Sequence, residues 1–314
     1  MKNILLLETI ADEANQLLSE AEDIKVYTAF AGLPPAEVLG NIDAVITRGL
    51  GQVNLQLLDA CPNLQVAARC GVGLDNVNVS EASKRKIKVV NAPGSNASTV
   101  AEHAIALMLM LQRNLYQALN DVKSGNWAAR SAFQSDEVGE KTLGILGLGN
   151  IGLKVAKIAE ALGMRVIYWA KSPKEVSYQH VSKDQLLATA DIISIHLPLN
   201  AETENLINAE ALALVKPSCI IINTARGQIV NKAALVDALN TGRLAGYGAD
   251  VPTSPPPAAD DPLIAHPKAL ITAHVSSLSA TTYRNMCVST VNNVLAILRE
   301  QAPQPGCIFN LKDL

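Results

Sequence analysis

The stretch Thr142–Gly152, TLGILGLGNIG, predicts a strand, a tight glycine turn and the start of a helix. Gly147, Gly149 and Gly152 have the G-x-G-x-x-G spacing, and a helical pattern follows at 153–162. In a dinucleotide-binding unit the first glycine allows the sharp turn, the second lets a pyrophosphate approach, and the third lets helix and strand pack closely. The helix start adds free N–H groups and a positive dipole end. An incidental turn is the alternative, but the surrounding pattern favours a dinucleotide site.

The end of the next strand indicates which dinucleotide binds. The segment 164–170, MRVIYWA, predicts the second parallel strand, and an NAD-selective site would carry an Asp or Glu near its end. Here the strand ends at Ala170, Lys171 and Ser172 follow, and the stretch 161–174 contains no acid. A neutral strand end followed by Lys and Ser suits a 2′-phosphate, because charge-assisted hydrogen bonds to an anion are strong. We predict NADP(H) as the cofactor and NAD(H) as the second choice; a solvated basic loop is the alternative.

Length and composition are typical of a two-domain α/β protein. A chain of 314 residues is long for one domain. Hydrophobic residues make up 49% of the chain and aromatic residues only 4%, which indicates the aliphatic core that parallel sheets prefer. The net charge of −3 leaves no basic footprint, so the composition argues against nucleic acid and anionic membranes as partners.

Cysteine usage and the N-terminal sequence indicate the compartment. The five cysteines show no C-x-x-C pair and no metal-ligand spacing, so we predict free thiols, a reducing compartment and no metal site. The N-terminal MKNILLLETIADEANQ has one lysine and an apolar run too short for a signal peptide. No apolar run approaches the ~18 residues of a membrane span. We therefore expect a cytoplasmic protein.

Strands and helices alternate up to about residue 98, which predicts a parallel sheet with helices on both faces. No G-x-G-x-x-G motif occurs in this half. The strands predicted here are 3–7, 24–27, 44–47, 64–68 and 88–91. One long helix, 100–122, is predicted next, and its apolar first half indicates burial between layers.

A second strand–helix series begins at Thr142, and the amphipathic helix 281–300 follows it. Because that last helix lies far from the glycine motif, we expect the chain to return there to the first domain. The later strands of this series are predicted at 192–196, 220–224, 246–251 and 269–273. We predict an α/β fold of two doubly wound parallel-sheet domains. A Rossmann-type cofactor domain, residues 99–284, would be inserted in a flavodoxin-like substrate domain, residues 1–98 and 285–314.

Polar residues suited to catalysis follow several predicted strands. The segment 69–76, RCGVGLDN, exposes backbone N–H groups that can cradle a carboxylate. Arg226 can hold a carboxylate with two parallel hydrogen bonds and polarise an adjacent carbonyl. His274 ends another strand and can donate a proton to a developing alkoxide. Asp250, at the end of its own strand, can orient that histidine.

Each of these side chains also has a structural interpretation. An arginine after a strand is often a surface ion-pair residue, and a histidine at a strand end is usually structural. Spacing alone does not favour His274 over His103, His180, His196 or His266 as the proton donor.

The chain resembles the D-isomer-specific 2-hydroxyacid dehydrogenases over essentially its whole length. The segments that carry the resemblance are 67–103, 144–152, 194–208, 222–242 and 260–274. The pattern GADV…PPPAADDPL is most similar to the glyoxylate/hydroxypyruvate reductase branch. The resemblance implies two α/β domains, usually in a homodimer, that use a nicotinamide cofactor to reduce small 2-oxo acids to 2-hydroxy acids.

The resemblance also implies roles for individual residues. The carboxylate- and carbonyl-binding arginine falls on Arg226 and the proton-donating histidine on His274, and Asp250 is the third expected catalytic residue. Expected substrate contacts are Val72, Gly73, Asn96, Arg226 and His274. Expected cofactor contacts are Gly147, Gly149, Asn150, Ile151, Gly152, Ala170, Lys171, Ser172, His196, Pro198, Thr203, Thr224, Ala225, Arg226, Asp250 and His274.

One departure from the family pattern concerns the partner of His274. The family pairs this histidine with a glutamate in a D-V-x-x-x-E-P pattern, whereas here 250–256 is DVPTSPP, which puts Pro255 at the glutamate position. Proline can neither ionise nor accept a proton. In a Ser-His-Asp triad, losing the orienting carboxylate costs about ten thousand-fold in rate. Asp250 or an acid of the 260–261 pair must therefore substitute, or turnover is weak.

These observations predict an NADP(H)-dependent reductase of small 2-oxo acids such as glyoxylate or hydroxypyruvate. Pro255 motivates an alternative from another class, a dinucleotide-binding regulator or scaffold with little catalytic turnover. The presence of both Arg226 and His274 favours the enzyme.

The Pro255→Glu variant should raise the turnover rate in the reduction of a small oxo acid, because it restores a carboxylate where the resemblance expects one. Steady-state kinetics of the two purified proteins with the same substrate measure the difference. An unchanged turnover rate would mean that another carboxylate already serves His274.

Overall fold

Two parallel β-sheets organise the chain. The structure, a computed structural model, describes residues 1–254, 256–258 and 260–314. Strands of the first sheet are β1 Lys2–Leu6, β2 Ile24–Thr28, β3 Ala44–Thr47, β4 Val66–Arg69 and β5 Lys88–Val90. Strands of the second sheet are β6 Thr142–Leu146, β7 Arg165–Trp169, β8 Gln179–His180, β9 Ile192–Ile195, β10 Ile220–Asn223, β11 Gly246–Ala249 and β12 Ala269–Ile271.

Helices alternate with these strands along the chain. The α-helices are α1 Asp12–Ser19, α2 Ala36–Leu39, α3 Leu55–Ala60, α4 Val79–Lys84, α5 Ala97–Gln112, α6 Leu115–Lys123, α7 Asn150–Ala161, α8 Lys183–Thr189, α9 Ala209–Leu214, α10 Lys232–Asn240 and α11 Ala280–Leu298. Short 3₁₀ helices are Trp127–Ala132, Gly227–Ile229 and Leu311–Asp313. Several helices start after an Asn or Ser whose side chain accepts the amide N–H three residues on, which satisfies a donor that the helix cannot.

Both sheets have the strand orders of nucleotide-binding folds. The first has the order β2-β1-β3-β4-β5 and the second β12-β11-β10-β9-β6-β7-β8, with every pair parallel. The first order is flavodoxin-like, and the second is the Rossmann order with β12 added at one edge. The predicted fold class is confirmed. The central strands are buried on both faces, as their continuous apolar runs require.

The structure separates into two units, Met1–Asn96 with Leu278–Leu314, and Ala97–Ser277. The predicted boundaries, 98/99 and 284/285, lie slightly further along the chain. The second one would cut helix α11. That helix belongs to the first unit as a whole, because its apolar face, including Val291 and Val294, packs in one cluster with Leu18 of α1.

The long helix predicted at 100–122 is wrong in one respect, because it is two helices. Asn114 adopts a left-handed conformation with φ of +47° between α5 and α6. Asn tolerates this conformation better than most residues, so the chain can turn there. Helix α5 is buried against β10 and β11, where Gly248 leaves room: a Cβ there would lie 3.1 Å from Leu111. Helix α6 buries no residue, whereas α5, which contains the apolar first half of the predicted helix, is buried as expected.

The loop after β3 is held by a single carboxylate in the first unit. Glu8, which follows β1, accepts the backbone N–H groups of Arg48, Gly49, Leu50 and Gly51 at 2.7–3.1 Å. Burial alone would raise the pKa of Glu8, but the four amides outweigh it and lower the pKa to about 2. The stabilisation is complete above the ordinary carboxyl range and is lost as the pH falls through about 2.

The structure also shows the state of the cysteines and allows a search for metal ligands and transmembrane helices. All five cysteines are free and buried. In the residues that the structure describes, no group of three His, Cys, Asp or Glu side chains converges as metal ligands would. None of the described helices has both the length and the hydropathy of a transmembrane segment.

Candidate active site

The residues predicted for the site in the second unit lie along one edge of its sheet. Parallel strands end at a common edge with about 4.8 Å between neighbours, and α/β proteins bind ligands at that edge. Residues that follow successive strands across this edge are Ala170 after β7, Gly147 after β6, His196 after β9, Thr224 to Arg226 after β10, Asp250 after β11 and His274 after β12. The sheet thus collects chemistry that is dispersed over more than a hundred residues of sequence.

The glycine turn after β6 has the shape that a pyrophosphate needs. Gly147 has a φ of +96°, and a Cβ there would lie 2.8 Å from the carbonyl oxygen of His196. A Cβ on Gly152 would overlap the Gly147 carbonyl. A Cβ on Gly149 would meet no atom within 4 Å. The fold therefore requires the first and third glycines, while the second faces open space that a ligand can enter.

The start of helix α7 is prepared for an anion. In the described chain no side chain caps this helix, and its first turn, which begins with Asn150, Ile151 and Gly152, carries no acid. Its leading N–H groups and its dipole therefore favour a negative ligand. Together with the space at Gly149, this start fits a dinucleotide pyrophosphate.

Two buried polar atoms at this edge of the sheet have no hydrogen-bond partner in the described residues, Nδ1 of His196 and Oγ1 of Thr224. Nε2 of His196 lies 2.8 Å from the hydroxyl of Ser194. Burial lowers the pKa of His196 to about 4, so its ring is neutral at physiological pH. Because buried polar atoms are almost always hydrogen-bonded, these two atoms fit the polar groups of a bound cofactor.

The loop after β7 carries an ion pair that the sequence did not indicate. Lys171 pairs with Glu202, which lies in the loop after β9. The backbone of the Lys171 loop is fixed, because the N–H of Lys174 donates to the Tyr168 hydroxyl at 2.7 Å. Sequence reasoning missed Glu202 because it considered only acids near the strand end, and this acid comes from another loop.

The predicted contacts Pro198 and Thr203 belong to the turn that carries Glu202. The Thr203 hydroxyl donates to the Pro198 carbonyl at 2.6 Å and accepts the Asn200 N–H at 2.9 Å. The Asn200 side chain accepts the N–H of Glu202 at 2.9 Å. The Thr203 side chain thus holds the shape of this turn, and its cofactor contact stays a prediction.

Arg226 is positioned through its backbone by a buried asparagine. Asn223, the last residue of β10, donates to the Arg226 carbonyl at 3.0 Å and to the Tyr247 hydroxyl at 3.3 Å. Its side-chain oxygen accepts the Ala225 N–H at 3.0 Å. The Arg226 guanidinium is half-buried and donates to the Ala225 carbonyl at 2.7 Å. A strand-end amide therefore sets the path of the loop that carries the arginine.

Asp250 holds the chain on both sides of His274 through hydrogen bonds. Its carboxylate is fully buried and accepts the Thr272 hydroxyl at 2.6 Å and the N–H groups of Val275 and Ser276 at 2.8 Å. His274 has a φ of +55°, a left-handed conformation that costs a non-glycine residue roughly 1–2 kcal/mol. Hydrogen bonds on both sides of His274 thus hold its backbone in place, and its side chain is exposed.

The charge of Asp250 is maintained by these donors. Burial would raise the pKa of Asp250, but hydrogen bonds from Ser276, Thr272 and the Val275 amide outweigh it and leave the pKa below the ordinary value. Asp250 therefore acts on the backbone of the His274 segment. In the part of the chain that the structure describes, no hydrogen bond or ion pair reaches the His274 ring, so the direct orientation of that ring by Asp250 is not observed.

One acid of the 260–261 pair, the other source of a carboxylate expected for His274, is engaged elsewhere. Asp261 pairs with Lys232 at 2.6 Å and accepts the Leu263 N–H at 3.0 Å. Pro255, the position at which the resemblance expects a glutamate, lies outside the described residues.

His103 and Thr272 are parts of the site that sequence reasoning did not assign. The Thr272 hydroxyl uses its proton on Asp250, so its oxygen accepts from Nε2 of His103, 2.9 Å away. The same nitrogen lies 3.7 Å from the Asp250 carboxylate. Spacing leaves His103 open as a proton donor, whereas the structure places its ring beside Thr272 and Asp250. Its position on helix α5, far from residue 250 in sequence, left no local signal.

The loops after β10 and β11 are in contact. Gly227 leaves no space for a side chain, because a Cβ there would lie 2.5 Å from the Pro252 carbonyl oxygen. Gln228 donates to the Thr253 carbonyl at 3.0 Å. The segment that begins at Asp250 therefore contacts the Arg226 loop on one side and the His274 segment on the other.

The predicted substrate contacts Val72, Gly73 and Asn96 belong to the first unit. The Val72 carbonyl accepts from Asn91 at 2.8 Å, and the Gly73 carbonyl accepts from the Arg69 guanidinium. Within the described residues the N–H groups of Val72 and Gly73 make no hydrogen bond. These amides can therefore receive an anionic ligand, and their substrate contact stays a prediction.

Comparison with known proteins points to one family. A sequence model described as D-isomer specific 2-hydroxyacid dehydrogenase, NAD binding domain, matches residues 105–276. A hydroxypyruvate reductase of Thermotoga maritima is 34% identical, over 90% of this chain and 94% of that protein. A D-3-phosphoglycerate dehydrogenase of Archaeoglobus fulgidus is also 34% identical, over 90% of this chain. The chain spans only 55% of that relative.

A solved structure extends the similarity to three dimensions. The NADPH-dependent glyoxylate/hydroxypyruvate reductase of Sinorhizobium meliloti, crystallised with NADP and malonate, has a TM-score of 0.84 and 31% sequence identity. The match covers 95% of this chain and 93% of that chain.

The Asp250→Asn variant should lower the free energy of unfolding by about 2–3 kcal/mol at pH 7, because an amide cannot accept from all three donors and carries no charge. Urea denaturation measures the difference. It should shrink as the pH falls through the lowered pKa of Asp250, where the carboxylate itself becomes protonated. The matched control is Asp237→Asn on the exposed side of α10, which should change stability by less than about 0.5 kcal/mol.

Proposed function

We propose, from the premise that the chain belongs to the D-isomer specific 2-hydroxyacid dehydrogenase family, that it is an NADP(H)-dependent reductase of small 2-oxo acids. Glyoxylate and hydroxypyruvate are the substrates we favour. The names of the Thermotoga and Sinorhizobium proteins support this choice. The chain spans only about half the length of the phosphoglycerate dehydrogenases that it matches, so their activity is not carried over.

The observation that carries the proposal is the arrangement of Arg226, Asp250 and His274 after three successive strands of one sheet. The strands β10 and β12 are two positions apart, so their ends are separated by about 10 Å. That spacing suits an arginine and a histidine that act on opposite parts of a small 2-oxo acid. Asp250, after the strand between them, holds the histidine segment.

Each residue has a chemical role in this proposal. The Arg226 guanidinium binds the substrate carboxylate with two parallel hydrogen bonds and polarises the neighbouring carbonyl. His274 donates a proton to the carbonyl oxygen as negative charge develops there. Asp250 keeps His274 in place through the backbone. The bound reduced nicotinamide supplies the hydride.

The cofactor assignment rests on the chain between β6 and α7 and on the end of β7. The open space at Gly149 would receive the pyrophosphate, and the start of α7 would complement its charge. Lys171 and Ser172 would contact a 2′-phosphate, since Ala170, which follows the end of β7, is not an acid. We therefore propose NADPH as the preferred cofactor and NADH as the second.

A second copy of the chain is the macromolecular partner we propose. Helix α6 and the 3₁₀ helix after it expose Leu115, Tyr116, Leu119, Val122 and Trp127, each with 42–69% of its surface accessible. Large exposed apolar patches on a protein surface mark interaction sites, and these five side chains all lie between residues 115 and 127. The free, buried cysteines support a cytoplasmic location for this dimer.

The purified protein should oxidise NADPH in the presence of glyoxylate or hydroxypyruvate, with a higher kcat/KM than with NADH. Absorbance at the nicotinamide band, across 2-oxo acids from glyoxylate to phenylpyruvate, measures the rate. His274→Ala should reduce the turnover rate by at least about a hundredfold, because general acid catalysis contributes 10²–10⁴-fold. Cofactor binding without turnover on any 2-oxo acid would instead favour the regulator or scaffold.

If the protein is a homodimer, light scattering coupled to size-exclusion chromatography should give twice the mass of one chain. The Leu119→Glu variant should elute as a single chain, because a charge in an apolar interface loses its hydration. Glu210→Gln, an exposed change on α9, is the control that should leave the mass unchanged. A single-chain mass for the unmodified protein would contradict the dimer.

A further inference from the structure

The ion pair between Lys171 and Glu202 joins two loops whose strands are not neighbours. In the second sheet β6 lies between β7 and β9, so the ends of β7 and β9 are about 10 Å apart. Lys171 follows β7 and Glu202 follows β9. Their contact therefore crosses the carboxyl end of β6, where the glycine turn begins.

Hydrogen bonds hold the backbone of each loop, while the paired side chains are exposed. The Lys174 N–H on Tyr168 holds one loop, and Asn200 with Thr203 holds the other. The side chains of Lys171 and Glu202 are 74% and 64% exposed, so either can change partner without a cost in packing.

We propose that Glu202 is a specificity-determining residue that sets how strongly this chain prefers NADPH over NADH. It does so by competing with the 2′-phosphate of NADPH for Lys171. This inference rests on the cofactor site of the proposed function and adds a residue to it.

The negative charge of Glu202 should have opposite effects on the binding of NADPH and NADH. A 2′-phosphate is an anion that must take Lys171 from Glu202 and then lie near the released carboxylate, which repels it. The 2′-hydroxyl of NADH carries no charge and can donate a hydrogen bond to a carboxylate. In an NAD-selective site that acid stands near the end of the second strand. Here β7 ends at a neutral residue, and Glu202 brings an acid to the same place from the loop after β9.

Glu202→Gln removes the charge and keeps the size of the side chain. We expect it to tighten NADPH binding about two- to fivefold, the range of an exposed charge pair, and to leave NADH binding equal or weaker. The ratio of the two dissociation constants, measured by titration calorimetry without substrate, is the readout. Glu204→Gln is the matched control, because Glu204 is an exposed glutamate of the same loop outside this ion pair.

A second pair of variants tests the competition itself. Lys171→Ala should weaken NADPH binding, and in that background Glu202→Gln should shift the ratio less than it does in the unmodified chain. A ratio unchanged by Glu202→Gln, or shifted equally by Glu204→Gln, would overturn the proposal. So would a full shift in the Lys171→Ala background.

Failure of the proposed reaction would be seen in the turnover assay and not in the cofactor-binding measurement. Calorimetry reports cofactor binding whether or not a 2-oxo acid is turned over. If no 2-oxo acid is reduced but Glu202→Gln shifts the ratio of the two dissociation constants, the proposed reaction is contradicted and the role of Glu202 is supported. If a 2-oxo acid is reduced but the ratio does not shift, the reaction is supported and the role of Glu202 is contradicted.

Discussion

A buried carboxylate with three donors is the interaction on which this site depends. Asp250 lies fully inside the second unit, and burying a charge without partners would be costly. The hydroxyl of Thr272 and two consecutive amides satisfy it, and those amides follow His274 directly. The histidine is therefore held in a left-handed conformation that it would rarely adopt alone. Asn223 plays the corresponding part for Arg226 with an amide.

These two residues share a position in the fold. Asn223 ends β10 and Asp250 follows β11, where strands leave the sheet and backbone groups lose their ladder partners. A polar side chain at such a position can satisfy those groups and fix the departing loop. The backbones of the proposed catalytic residues are then held from inside, while the His274 side chain is exposed. The same arrangement leaves His274 without a carboxylate on its ring in the described residues, which makes the proline at 255 consequential.

Much of this architecture could be predicted from local sequence. The spacing of Gly147, Gly149 and Gly152 reports backbone requirements, and the structure has the close approaches that these glycines permit. Apolar runs located the central strands, because strands covered on both faces leave a continuous signal. Arg226 and His274 could be placed at strand ends for the same reason. What could not be predicted comes from contacts between distant segments: Glu202 beside Lys171, and His103 beside Asp250. The break at Asn114 reflects one backbone conformation that helical periodicity does not report.

The hydrogen bonds between Glu8 and the loop after β3 have an evolutionary consequence. Its carboxylate binds the peptide N–H groups of residues 48–51, and Leu50 within that loop is 82% exposed. The shape of the loop therefore does not depend on the side chain at position 50. Leu50 can be exchanged for almost any residue except proline, which has no N–H, while the loop keeps its path. Such a segment can diversify rapidly among descendants of one ancestor, since new surface chemistry arises there without a loss of folding.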